Sequence, residues 1–242
     1  MIISFSKKFV FVKTNKTAGS SFQALLTHHL ESVDWMTAVQ AGEDALIQTI
    51  LKEKSIHYLN GPRASLPKDI NKRFTQHSSL EMARSAFPES QEFFSFGVLR
   101  NPFARLQSSF RWKRGRKIDQ LLSSGEPRKS IETKLQRVFA RFIERDQGLL
   151  NQRGRDLLQG VTRDGSTWSV DSIFKMEELG HLRNHFLSKT GVSLDLDLLP
   201  HFKSNTTKIP SDIAIWTDRT IDAALRTFRW EFEHLSYNRS PF

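Results

Sequence analysis

The 242-residue chain contains no cysteine, which excludes disulfide staples and thiolate-held metal. It has no apolar run near the roughly 18 residues that a membrane span requires. Its opening, Met1-Ile2-Ile3-Ser4-Phe5 followed at once by Lys7-Lys8, is too short an apolar stretch for a secretory leader. Together these absences lead us to expect a cytoplasmic protein. Internal repeats and low-complexity segments are absent too. Acidic residues are in the minority, 26 against 36 Lys and Arg, for a net charge of +10 and a pI near 10.0. That balance favours polyanionic partners: nucleic acid, an anionic surface, or a small ligand carrying several phosphates or sulfates. Apolar residues are present in quantity. With 38% hydrophobic residues, 19 Phe and 5 Trp, the chain is not disordered, and its length suits one domain over 1–242.

The most informative stretch is Lys8 to Phe22, KFVFVKTNKTAGSSF. Phe9-Val10-Phe11-Val12 reads as a strand buried on both faces. It breaks into small, hydroxylated and cationic residues, after which Phe22, Leu25, Leu26 and Leu30 recur at helical spacing. A strand, a small-residue loop and a helix start form an anion site, because N–H groups at a helix N-terminus lack partners and the dipole favours negative charge. Thr17, Ser20 and Ser21 add hydroxyls and Lys16 adds a cation, so phosphate is the expected ligand. Two glycine-rich phosphate signatures do not fit. The triphosphate loop needs two glycines and a terminal Gly-Lys-Ser/Thr, whereas here one glycine follows the lysine; the three-glycine dinucleotide fingerprint is missing as well.

Asn15-Lys16-Thr17-Ala18-Gly19-Ser20-Ser21-Phe22 instead resembles the 5′-phosphosulfate loop of sulfotransferases, Pro-Lys-Thr-Gly/Ala-Gly/Ser-Thr/Ser-Ser, with Asn15 in place of the proline. A second stretch is similar to another part of that family. Phe93 to Leu99 reads as a buried strand and runs into Arg100-Asn101-Pro102, where proline at a first helical position opens a helix with Phe103, Leu106 and Phe110 on its apolar face. Arg100-Asn101-Pro102-Phe103-Ala104-Arg105-Leu106-Gln107-Ser108 resembles the family's 3′-phosphate motif. Arginine at a strand end offers a bidentate fork, and Ser108 can turn back toward the same oxygens; Arg100, Arg105 and Ser108 are read together as the set.

Elsewhere Ala45 to Leu51 suggests a short helix, Ser55 to Leu59 a strand, and 61–73 a basic, Pro-containing loop. Ser78 and Glu81 have capping-box spacing, placing His77 just before a helix. Arg111 to Lys117 is the densest basic cluster, read either as a rim for an anionic ligand or as a solvated helix end. Ile131, Leu135, Val138, Phe139, Phe142 and Ile143 form a helical apolar face, and 146–168 is expected to be loop with one short helix at Asp156 to Leu158, with acceptor binding as a candidate role. Val170 to Lys175 reads as a strand, followed by a helix ending at Gly191. The Pro200-His201-Phe202-Lys203-Ser204 segment resembles the family's late basic loop, which implies cofactor contacts for Lys203 and Ser204. The last helix carries Ile221, Leu225, Phe228 and Phe232, and Glu231-Phe232 to Tyr237 resembles the family's closing pattern.

The alternation of strands and helices implies an α/β fold. The resemblance makes it P-loop-like, three layers with a central, mostly parallel sheet flanked by helices and ligand beyond the carboxyl ends of the strands. It points to the carbohydrate branch that includes the uronyl 2-O-sulfotransferases. The implied donor is 3′-phosphoadenosine 5′-phosphosulfate, leaving 3′-phosphoadenosine 5′-phosphate, and the implied acceptor is a hydroxyl on a glycan or glycolipid. Lys16 would neutralise the breaking sulfate–phosphate bridge, Thr17, Ala18, Gly19, Ser20 and Ser21 would hold the 5′-phosphate, and Arg100 with Ser108 the 3′-phosphate. His77 occupies the place of the uronyl enzymes' base, with Glu81 and His201 as alternatives; an acceptor poised to lose its proton would need no base. No metal is expected. A P-loop-like nucleotide kinase and a non-enzymatic nucleic-acid binder are the competing readings, and nucleic acid is not the expected partner.

Overall fold

A computed structural model describes residues 1–37, 53–59, 74–158, 161, 168–200 and 209–241, with side chains omitted over 145–158. The helix expected at 45–51, the basic loop at 61–73 and the loop holding His201, Lys203 and Ser204 lie outside the described residues. The chain divides into two compact units, Met1–Leu99 with Leu157–Lys203, and Arg100–Asp156 with Ser204–Phe242.

The first unit carries a six-stranded sheet. Its strands are β1 (Ile2–Ser4), β2 (Phe9–Val12), β3 (Trp35–Met36), β4 (His57–Tyr58), β5 (Phe94–Leu99) and β6 (Ser172–Lys175), ordered β4-β3-β1-β2-β5-β6. β1 runs antiparallel to both its neighbours, and the other pairings are parallel. The sheet is therefore mixed but mostly parallel, as an α/β fold requires. β2 is buried throughout, because parallel strands covered on both faces read as unbroken apolar runs. β1 was not apparent in the sequence: three residues are too few to carry a period, and the tight connection to β2 does the specifying. Asp34 organises that connection, accepting from the Phe5 N–H at 2.7 Å, the Ser6 N–H at 2.9 Å, the Ser6 hydroxyl at 2.7 Å and the Glu31 N–H at 2.8 Å. On the other side Asp171 accepts from the Ser95 N–H and hydroxyl, each at 2.7 Å, which pins β6 to β5.

Helices α1 (Gly19–Thr27), α2 (Leu80–Ala86) and, numbered in chain order, α5 (Leu179–Thr190) belong to this unit. Phe9, Phe11, Phe22, Phe96 and Phe186 are all at most 1% exposed, and their rings meet at tilted or edge-on angles with centroids 5.1–6.1 Å apart, the arrangement that ring quadrupoles favour. α5 stops at Gly191, whose φ of 71° gives the left-handed C-cap read from the sequence. The helix at α2 is capped by Ser79, which accepts from the Met82 N–H at 3.2 Å. This corrects the expected capping by Ser78. The Ser78 hydroxyl accepts from the Thr75 N–H at 2.8 Å, closing the turn that presents His77.

The second unit is helical: α3 (Pro102–Leu122), most of α4 (Arg128–Leu158), α6 (Asp218–Thr227) and α7 (Arg229–His234). Its core is again aromatic, with Phe103 and Phe139 edge-on to Trp216 and Phe110 against Phe139 and Phe142. The loop expected from 146 is corrected, since α4 continues to Leu158. Gly148 and Gly154 misled the reading; each costs a helix about 1 kcal/mol relative to Ala, which the surrounding Leu, Gln and Arg residues offset.

Candidate functional site

The first unit builds a partly left-handed turn between β2 and α1. Lys16 and Ala18, with φ of 60° and 56°, are both left-handed on either side of Thr17. Backbone alternating in this way points successive N–H groups toward one concavity, which receives anions. Neither residue is glycine, and each such conformation costs about 1–2 kcal/mol, so the surroundings must hold it. Thr14 supplies part of that support: its hydroxyl donates to the Val98 carbonyl at 2.6 Å and lies 2.7 Å from the Thr17 hydroxyl. The side chain of Thr17 is thus turned inward to the loop rather than outward to a ligand, leaving its backbone N–H as the group to consider. Ala18 begins α1 without any side-chain cap and no acidic residue occupies the first turn. The orphan donors of Gly19, Ser20 and Ser21 and the positive end of the helix dipole therefore stay available to an anion.

The sequence reading missed the residue that anchors this turn. Lys13 is 5% exposed, and its ammonium donates to the Ser20 hydroxyl at 2.9 Å, Gln23 Oε1 at 2.8 Å and Gln76 Oε1 at 3.4 Å. Its stem crosses Gly19 so closely that a Cβ there would lie 2.5 Å from Lys13 Cγ. Gly19 is needed for this passage and not for an unusual φ. A lysine just after a strand reads as surface, and the glycine six residues later gave the only signal of where its stem goes.

His77 joins the same cluster. Its Nδ1 lies 3.0 Å from the Lys13 carbonyl oxygen. A carbonyl can only accept, so Nδ1 carries the proton and Nε2 keeps the lone pair. Burial lowers the pKa to about 4 from 6.5, against the carbonyl bond, which raises it, and with the Lys13 charge adding to the fall. The ring is neutral at neutral pH, in the tautomer that can take a proton at Nε2. Lys16, Thr17, Ala18, Gly19, Ser20, Ser21 and His77 all fall in this one unit.

The second unit opens with the other motif. Asn101 is the N-cap of α3, its Oδ1 accepting from the Phe103 N–H at 2.9 Å, with Pro102 in the first turn. Arg100 and Ser108 are half-buried. Arg111, one turn beyond Ser108 and half-buried, has its pKa lowered by burial first and then by the charge of Arg100. Its Nε is buried with no hydrogen-bond partner. Two guanidinium groups close enough to repel, one with a buried donor unmet, are an arrangement that an anion would relieve. Arg111 was legible only as one member of a basic cluster. Arg105 is corrected: it does not stand with Arg100 and Ser108 but donates to Glu231 Oε1 at 2.5 Å, in a pair whose side chains are 3% and 1% exposed. Its guanidinium also lies 4.9 Å from the Phe228 ring centroid.

No described helix is long and apolar enough to cross a membrane, and among the described residues no group of His, Cys, Asp and Glu could hold a metal ion. A family model described as Sulfotransferase family matches residues 1–238. No curated protein and no solved structure matches the chain.

Proposed function

The chain belongs to the sulfotransferase family, and from that premise we propose that it moves a sulfuryl group from 3′-phosphoadenosine 5′-phosphosulfate to an acceptor hydroxyl on a glycan or glycolipid. The observation that carries this reading is the uncapped start of α1 behind a doubly left-handed turn, beside a neutral histidine whose Nε2 can accept a proton. The turn suits a 5′-phosphosulfate in a way that it does not suit a triphosphate, whose loop needs a Gly-Lys-Ser/Thr that is missing here.

The donor supplies an activated sulfuryl group, and the protein's part is to position groups and stabilise charge. The N–H groups from Thr17 to Ser21 hold the 5′-phosphate. Lys16 offsets the charge that develops on the bridging oxygen. Arg100 and Ser108 take the 3′-phosphate, with Arg111 beside Arg100. His77 accepts the acceptor's hydroxyl proton at Nε2 as the new O–S bond forms. Lys203 and Ser204 are assigned to the cofactor on the resemblance alone. The P-loop-like layering and the uronyl branch stand on the same footing, supported by the Asn15 to Phe22 and Arg100 to Ser108 motifs.

The test is thermal unfolding of the whole chain with 3′-phosphoadenosine 5′-phosphate, using adenosine 5′-phosphate as the control without the 3′ group. At about 100 times its Kd a specific ligand adds roughly 2.7 kcal/mol, a rise of about 5–10 °C at this size. A rise with the bisphosphate alone supports the donor assignment. No rise with either, in folded protein, overturns it and favours a nucleic-acid binder, whose affinity falls steeply with salt.

A further inference from the structure

Lys13 makes two kinds of bond to two consecutive residues. Its ammonium reaches Gln76 Oε1 at 3.4 Å, and its carbonyl oxygen lies 3.0 Å from His77 Nδ1. The same ammonium holds Ser20 and Gln23, in the first two turns of α1. One residue therefore ties the anion-binding helix start to the histidine segment, across 63 positions of sequence to Gln76. Burying an ammonium costs several kcal/mol after relaxation, and a methionine would fill the same path over Gly19 without that cost. The cation is better explained by what it orders than by packing.

We propose that Lys13 is the positioning residue of this site: it holds His77 as the Nδ1–H tautomer, with Nε2 presented as proton acceptor at a fixed place relative to the turn of Lys16 to Ala18. The role of Nε2 as base rests on the sulfuryl-transfer reading; the tautomer and its control by Lys13 do not. The ammonium fixes Gln76, Gln76 fixes the adjacent ring, and the carbonyl admits only one protonation pattern of that ring. Two basic groups face His77: the Lys13 ammonium at the end of β2, and the Met1 amino group at the start of β1, whose own pKa burial lowers.

The experiment uses the full chain labelled with ¹⁵N-histidine. Long-range ¹H–¹⁵N spectra report the protonation of each ring nitrogen, and His77→Asn identifies the His77 signals. In the parent chain His77 should be the Nδ1–H tautomer, charging only near pH 4. In Lys13→Met it should become a mixture of tautomers; Lys16→Met should leave it unchanged. If Lys13→Met does not fold, Gln76→Leu, which cuts the link to the ammonium, should produce the same mixture of tautomers. An unchanged His77 spectrum in whichever of these variants folds overturns the proposal. With an acceptor in hand, Lys13→Met should lower kcat by roughly tenfold or more, with little change in the donor KM. A chain that passes the spectral test but binds no bisphosphate overturns the sulfuryl-transfer reading and leaves the role of Lys13 in place.

Discussion

Acidification should destabilise the protein through His77 in a definite window. The ring titrates at about 4 in the folded chain against an ordinary 6.5, chiefly because burial penalises its charged form. Below 6.5 the unfolded chain gains a proton that the folded one does not, so stability present above 6.5 is lost as pH falls toward 4. Linkage sets the full loss at about 3 kcal/mol, of which about 2 kcal/mol is lost between about pH 7 and about pH 5. The ring is half-buried, so screening by solvent reduces the measured value to roughly 1–2 kcal/mol. The assay is urea unfolding of the parent and of His77→Asn at both pH values. Contributions from other titrating groups, including the lowered amino group of Met1, largely cancel in the difference between the two proteins. The parent should lose that much more stability than the variant. Equal losses would refute the neutral, desolvated histidine on which its reading as a base depends.

Three further outcomes are expected. Arg100→Ala and Arg111→Ala should each weaken 3′-phosphoadenosine 5′-phosphate binding about 10- to 100-fold while barely changing adenosine 5′-phosphate, as read by calorimetry; equal losses for both ligands would remove these arginines from the 3′-phosphate. Arg105→Met should cost about 3–5 kcal/mol by leaving Glu231 buried and unpaired, and adding Glu231→Leu should recover most of it, which urea unfolding of the two variants decides. Asp34→Ala strands three backbone donors and should cost about 3 kcal/mol or more, a fall in Tm of roughly 6–12 °C; a smaller calorimetric shift would mean that water replaces the carboxylate.

The parts of this protein that could be read from its sequence are those in which strand, loop and helix follow one another without interruption. Phe9 to Phe22 and Phe94 to Phe110 carry their own period changes and, at Asn101 and Pro102, their own cap and helix start, so local rules suffice. Arg105 could not be assigned this way, because its partner Glu231 lies 126 residues away and nothing local separates a buried structural arginine from a phosphate ligand. Lys13 failed for the same reason, with Gln76 63 residues distant. Strands β1 and β3, of three and two residues, are too short to have a periodicity, and pairing with neighbours makes them strands; β4, equally short, falls within the strand read at Ser55 to Leu59. Ser78 and Ser79 were confused because two adjacent serines both satisfy the capping rule, and only the bond to Thr75 shows which one is occupied elsewhere.

The passage of Lys13 over Gly19 makes these two positions a mutational pair. Gly19→Ala alone places a methyl group within 2.5 Å of Lys13 Cγ, yet the same change should become tolerable once Lys13 is shortened to Ala and the space above the helix is open. The two substitutions should therefore be strongly non-additive, as neighbours sharing one space generally are. What constrains the glycine of this loop is thus the side chain behind it. A chain that dispensed with the buried lysine could also dispense with the glycine and still wind the same turn.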